Sequence, residues 1–210
     1  MRFYASLAAA IGILAVFSAC EGLFDSECLE PEAGMVLIRG SEIDQIGADY
    51  YIDSYEASRS SATATEQGTF MGRACNYANT MPWSNISYND ANIACRDAGK
   101  RLCTQAEWSY ACASLQLNAY PYGPSYIQGA CNDGGATVHA SGVNSACKTA
   151  LNVYDLSGNL REWVQEGTRM GGSYNANANE LGCGSALTSP DHITAVPQPS
   201  DGFRCCRDAF

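Results

Sequence analysis

The side chains with the most chemistry in this 210-residue chain are its 11 cysteines. A cysteine can ligate a soft metal, act as a nucleophile or close a disulfide, and compartment and spacing decide which. Short Cys-x₂₋₄-Cys knuckles in pairs, as a zinc site wants, are absent. The two histidines stand apart, His139 in a Gly/Ala/Ser stretch and His192 in a Pro-flanked one. Neither belongs to an HExxH or paired-His metal motif. Counting does not exclude a Ser-His-Asp or Cys-His site, because those groups meet only in space, but a lone loop histidine is more often a solvated side chain. Asn85-Ile86-Ser87 has the form of a glycosylation sequon, with Ser87 also placed to cap a helix.

The amino terminus decides how the cysteines are read. Arg2 precedes an uncharged stretch, Phe3 to Ala19, that closes Ser18-Ala19-Cys20. A charged start, an apolar middle and small residues before a cut are the layout of a secretory signal peptide. A membrane span needs about 17–25 apolar residues, but the Ser-Ala-Cys ending favours cleavage. Phe17-Ser18-Ala19-Cys20 resembles a bacterial lipoprotein box, so Cys20 is expected to carry lipid and anchor the protein to a membrane of the cell envelope. Plain secretion is the alternative. Cys28, Cys75, Cys95, Cys103, Cys112, Cys131, Cys147, Cys183, Cys205 and Cys206 then remain, an even number in an exported chain, which reads as five disulfides.

Lys and Arg total 12 against 22 Asp and Glu, a net charge of −10. Phosphate binding needs a basic face, so nucleic acid is excluded as a partner. The basic residues form no run that would mark an anionic-lipid patch. With 46% hydrophobic and only 16% charged residues, the composition is that of a folded chain.

The expected organisation is a signal peptide over 1–19, the lipidated cysteine with an acidic tether over 20–33, and one domain over 34–210. Met35-Val36-Leu37-Ile38 and the alternating Tyr50 to Tyr55 read as strands, and the Ser/Thr/Ala-rich 58–72 as a loop. Ser87 with Asp90 opens a helix whose Tyr88, Ala91, Cys95 and Ala98 share a face and which Gly99 stops. Thr104 with Glu107 is a capping box, followed by Trp108, Ala111, Cys112 and Leu115 at helical spacing. From 117 onward, Gly, Pro, Asn and Tyr dominate, and such irregular chain needs cross-links or bound ions to hold it. The pattern alone predicts an α+β domain with much loop.

Several strings then accumulate in order. They are Tyr51-Ile52-Asp53-Ser54-Tyr55-Glu56, Pro82-Trp83, Gly99 to Trp108, Tyr120-Pro121-Tyr122-Gly123, Tyr154 to Trp163, Gly171-Gly172-Ser173-Tyr174 and Gly202-Phe203-Arg204-Cys205. Together they resemble the formylglycine-generating, or sulfatase-modifying-factor, family over roughly 34–208. The resemblance implies a C-type-lectin-like α+β fold of low regular secondary structure, stapled by disulfides. It implies the pairs Cys95–Cys205 and Cys112–Cys183, with Cys131–Cys147, Cys103–Cys206 and Cys28–Cys75 expected as the remainder.

The founding activity of the family is oxidation of a protein cysteine to formylglycine with O₂ and a Cu(I) ion held by two thiolates, a soft pair suited to that ion. The matching positions here are Ala176 and Leu181, so copper is not expected, and no catalytic residue is assigned. Ser173 and Tyr174 match the floor of the family's substrate groove. Asp155 and Glu162, with the carbonyls of Gly158 and Leu160, match a calcium loop, a hard-oxygen set of the kind Ca²⁺ takes. Asn132 matches one ligand of a second such site. Two function classes follow. The first is an envelope lipoprotein whose domain is a non-catalytic binding or structural module for a protein, peptide or glycan ligand. The second is a modified oxidoreductase of the formylglycine-generating type acting on an exported protein or peptide.

Overall fold

Two helices form where the caps place them. Ser87 Oγ accepts the Asp90 amide at 3.1 Å and opens α1, Tyr88–Asp97, which buries Ala91, Ala94 and Cys95. Gly99, at φ +71°, turns the chain out of it. Thr104 and Glu107 form the reciprocal capping box of α2, Gln105–Ala113. Leu115 does not extend this helix's buried face. Ser114 leaves the helix at φ 55°, which ends the periodicity and leaves Leu115 exposed.

The computed structural model describes residues 28, 30, 32–42, 46–188 and 191–210. The expected signal peptide and the lipidation position Cys20 lie outside the described residues. No helix among the described residues is long and apolar enough to cross a membrane.

Among the described residues, eight short strands make two four-stranded sheets. β1 (Met35–Ile38), β2 (Tyr50–Asp53), β3 (Arg101–Leu102) and β8 (Cys205–Asp208) pair antiparallel in the order β1-β2-β8-β3. The second sheet holds β4 (Arg161–Trp163), β5 (Thr168–Met170), β6 (Ala186–Thr188) and β7 (Asp201–Phe203), in the order β6-β5-β4-β7. Within it β4 and β7 run parallel, with Arg161 opposite Asp201 and Trp163 opposite Phe203. Between α2 and β4 the chain carries no helix and no strand beyond isolated bridges. The architecture is α+β with little regular structure, as expected.

Two apolar cores fill the domain. Ile38, Ile52, Trp108, Leu156 and Met170 pack in one, and Trp83, Ile86, Leu102, Trp163 and Phe203 in the other. The polar ends of two core aromatics are paired: Tyr50 Oη donates to the Glu107 carbonyl at 2.7 Å and Trp163 Nε1 to the Ile86 carbonyl at 3.0 Å. Lys100 Nζ meets Asp53 Oδ1 at 2.6 Å in a buried ion pair, while Asp53 Oδ2 accepts the Cys205 amide at 3.0 Å.

Five disulfides staple these parts: Cys28–Cys75, Cys95–Cys205, Cys103–Cys206, Cys112–Cys183 and Cys131–Cys147. Cys205 and Cys206 point to opposite sides of β8, so one reaches α1 and the other the segment before α2. Part of the segment read as a tether is fastened to the domain. Cys28 is tied to Cys75, and Glu32 pairs with Arg207 at 2.8 Å.

Candidate functional site

The Gly171-Gly172-Ser173-Tyr174 string follows β5 and turns sharply over the second sheet. Both glycines have positive φ, +85° and +67°. A Cβ on Gly171 would press on the Trp108 ring at 2.9 Å, and one on Gly172 on the Glu180 carbonyl at 2.6 Å, so no other residue fits. The turn leads into Asn177, which caps a 3₁₀ turn at Ala178–Glu180 while the Glu180 carboxylate accepts the Asn177 amide at 3.0 Å. The polar run 175–179 is therefore an ordered wall.

This wall, the Gly-Gly-Ser-Tyr turn and the second sheet enclose a cleft of about 430 Å³. Arg161, Arg169, Ser173, Asn175, Ala176, Glu180, Ser185 and Leu187 are among its lining residues. That volume falls in the range of small-ligand sites, about 300–1,000 Å³. Ser173 is buried and its Oγ donates to Asn175 Oδ1 at 2.8 Å. Tyr174 is half-buried and is not part of the lining; its backbone is pinned to Asn159 and Gly135.

The two positions of the resemblance's thiolate pair part company. Ala176 stands in the cleft wall, whereas Leu181 is buried beneath it beside Gly172. Cys183, next along the chain, is bonded to Cys112. The residues present do not fit a Cu(I) ion, since methyl and isobutyl groups offer it no soft donor.

Of the residues matched to calcium, the Glu162 and Asp155 carboxylates accept hydrogen bonds from protein donors. Glu162 is fully buried; Arg204 Nε donates to its Oε2 and Arg204 Nη2 to its Oε1, each at 2.6 Å. Trp108 Nε1 adds a third donor to Oε2 at 2.7 Å. Asp155 Oδ2 accepts the Gly142 amide at 2.6 Å. Gly158, at φ +73°, abuts the Asn132 carbonyl, and the Leu160 amide donates to Glu56 Oε1 at 3.0 Å. Asn132 turns its amide nitrogen toward Thr137 and Asn159, at 3.0 and 2.9 Å.

Among the described residues no group of three His, Cys, Asp or Glu side chains is disposed to hold a metal ion. A calcium ion at Glu162 would have to displace a bidentate guanidinium, so that carboxylate as it stands does not fit the ion. The positive charge at this point is supplied by Arg204.

Two buried acids near Arg204, Glu56 and Asp155, have shifted pKa values. Burial first, then the charges of Asp155 and Glu162, push Glu56 well above the ordinary carboxyl range. Burial pushes Asp155 up to about 6, against the opposing pull of the Gly142 hydrogen bond and Arg204. For Arg204 burial alone would lower the pKa, but Glu162, then Glu56 and Asp155, raise it above its usual value. The set is a buried polar knot centred on Arg204.

Neither knot nor cleft was read completely from the sequence. Glu56 and Arg204 stand in the quoted strings without an assigned role, and Arg169 and Asp201 carried no signal, because each acquires meaning only from partners far along the chain; Glu180 pairs locally with Asn177. Arg161 stands in the Tyr154 to Trp163 string and gains its partner only in the fold. Its pairing with Asp201 depends on the parallel β4–β7 register.

Comparison with known proteins agrees with this geometry. Residues 43–209 match the sulfatase-modifying factor enzyme 1-like domain family. Formylglycine-generating enzymes of Mus musculus and Bos taurus are each 49% identical over 43 residues, 20% of this chain and 12% of theirs. The matched stretch thus spans about an eighth of those relatives.

Among solved structures, PvdO from Pseudomonas aeruginosa superposes with a TM-score of 0.56 at 19% identity, over 77% of this chain and 81% of that one. Variable protein 1 of Treponema denticola gives 0.57 at 15%, over 77% and 87%. The U1 variant of the Major Tropism Determinant gives 0.54 at 17%, over 83% of this chain and 52% of that one. At these identities the likeness is one of fold, a C-type-lectin-like α+β arrangement.

Proposed function

The chain belongs to the sulfatase-modifying factor enzyme 1-like domain family, and from that membership we propose that it is a non-catalytic binding module of an envelope lipoprotein, with the 430 Å³ cleft as its ligand face. One observation carries the reading. The cleft keeps its Gly-Gly-Ser-Tyr turn, but Ala176 and Leu181 occupy the thiolate positions, and all ten cysteines from Cys28 to Cys206 are paired in disulfides. A thiol-based oxidase needs reducible sulfur at the site, whereas a binding module does not.

The anchor rests on Phe17-Ser18-Ala19-Cys20 and on a disulfide framework that belongs to an oxidising compartment. Lipid on Cys20 would tether the domain to a membrane with its cleft free to meet a protein, peptide or glycan.

The test is the intact mass of the chain exported oxidised, after alkylation with and without a mild reductant. No label in either condition is the expected result. Label at two cysteines, Cys183 above all, would overturn the reading in favour of a modified oxidoreductase. In a bacterial host the same spectra should show acyl mass on the chain, lost in Cys20→Ser; an unacylated, freely secreted product would overturn the anchor.

A further inference from the structure

The cleft has a charge pattern that its family resemblance does not explain. Arg161 and Arg169 come from neighbouring strands and converge on one carboxylate, the fully buried Asp201. Arg169 Nη1 donates to Asp201 Oδ2 at 2.7 Å. Arg161 Nη2 lies 3.0 Å from Asp201 Oδ1 without the alignment of a hydrogen bond, and donates instead to Ser200 Oγ at 2.6 Å. Both Nε atoms are buried without a hydrogen-bond partner among the described residues. Two guanidiniums therefore share one buried anion.

Arg169 is held in place by its stack on Trp163, 4.7 Å from the ring centroid. Its position is set before any ligand arrives. Glu180, the acid among the lining residues, is exposed at the rim and engaged with Asn177 rather than with either arginine. The Arg161–Arg169–Asp201 cluster thus keeps one positive charge, in a chain whose net charge is −10.

Building on the reading of the cleft as the ligand face, we propose that it binds the carboxylate of an acidic peptide through Arg161 and Arg169. One surplus charge matches a monoanion better than a phosphate ester, which carries about −1.5 to −2. The planar forks of arginine suit carboxylate geometry. Ser173, Asn175 and Ser185 add neutral hydrogen-bonding groups around them. A peptide is favoured over a free acid because the cleft borders β6. This is the edge strand of its sheet, with all three residues exposed, and an extended segment can run alongside it.

The test uses the disulfide-intact chain and three fluorescent Gly/Ser peptides. One carries an internal acidic pair and an amidated end, one is uncharged with a free terminal carboxylate, and one is uncharged and amidated. At least one of the first two binds saturably and the third does not, and which one binds identifies the carboxylate as side-chain or terminal. Arg161→Gln weakens binding about tenfold, the scale of a lost charge-assisted hydrogen bond. Ala176→Asp, which adds a carboxylate to the wall without touching the Asp201 network, weakens it by a similar factor.

Equal binding of the neutral peptide, or no response to either variant, would overturn carboxylate recognition while leaving the cleft as a binding face. Displacement by inorganic phosphate at lower concentration than by acetate would overturn the choice of monoanion. No binding by any of the three would also overturn the proposal, and the alkylation result separately decides whether the non-catalytic reading falls with it.

Discussion

Arg204 grips Glu162 with two parallel hydrogen bonds of 2.6 Å, and neither side chain is exposed. The same guanidinium donates to the carbonyls of Asp53 and Tyr154, at 3.0 and 2.7 Å. One side chain thus joins β2, β4, the loop before β4 and the carboxy-terminal segment. Such a pair is a poor source of net stability compared with apolar packing, but it is costly to break from one side.

Arg204→Met is therefore expected to destabilise the fold by about 3–5 kcal/mol, because it leaves the Glu162 carboxylate buried without its counter-charge. Urea unfolding measures the loss. Adding Glu162→Gln should recover part of it, since removing both charges removes the uncompensated one. A double variant no more stable than the single one would show that Arg204 acts by packing alone.

Chelation should leave the melting temperature unchanged. Both Glu162 oxygens are taken by Arg204, and Asp155 Oδ2 by the Gly142 amide, so calcium has no vacant carboxylate pair to hold. Differential scanning calorimetry in EDTA and in millimolar calcium checks this. A melting point that falls on chelation would show that the ion displaces the guanidinium.

Asp155 makes stability depend on pH in the direction opposite to a salt-bridged acid. Its folded-state pKa is raised from 3.8 to about 6, so between these values the native state binds more protons than the unfolded chain. The contribution is fully present below the lower value and is lost as pH rises through the window, by about 1.4 kcal/mol per unit at its steepest. Glu56 acts in the same sense at higher pH. The urea midpoint of the wild type relative to Asp155→Asn should therefore fall from pH 4 to pH 6, and a difference that rises over that window would contradict the assignment.

The disulfides should differ in what they contribute. Cys95–Cys205 spans 110 residues and Cys131–Cys147 only 16. Loop-closure entropy gives about 4.7 kcal/mol for a loop of ~100 residues and about 3 for one of ~15. Paired Cys→Ala variants, compared by urea unfolding, should rank in that order. Equal losses would mean that native packing, rather than chain entropy, sets their contribution.

Local signals were the legible part of this protein. The caps at Ser87 and Thr104 reach three residues, so both helices could be placed from the sequence, and the ordered strings carried the family and two of its disulfides, Cys95–Cys205 and Cys112–Cys183. Leu115 shows the limit of the same reasoning: its spacing fits the apolar face of α2, but the chain leaves the helix at Ser114 first.

The charges were decided by tertiary structure alone. The family resemblance matches Asp155 and Glu162 to a calcium loop, yet Glu162 is gripped by Arg204, 42 residues beyond it. Arg161 and Arg169 meet over Asp201 only because β4 pairs with β5 on one side and, in parallel, with β7 on the other. A cap or an apolar stripe finds its partner within a turn or two of its own chain. A buried charge finds its partner wherever the topology brings another strand, and only the folded chain specifies that.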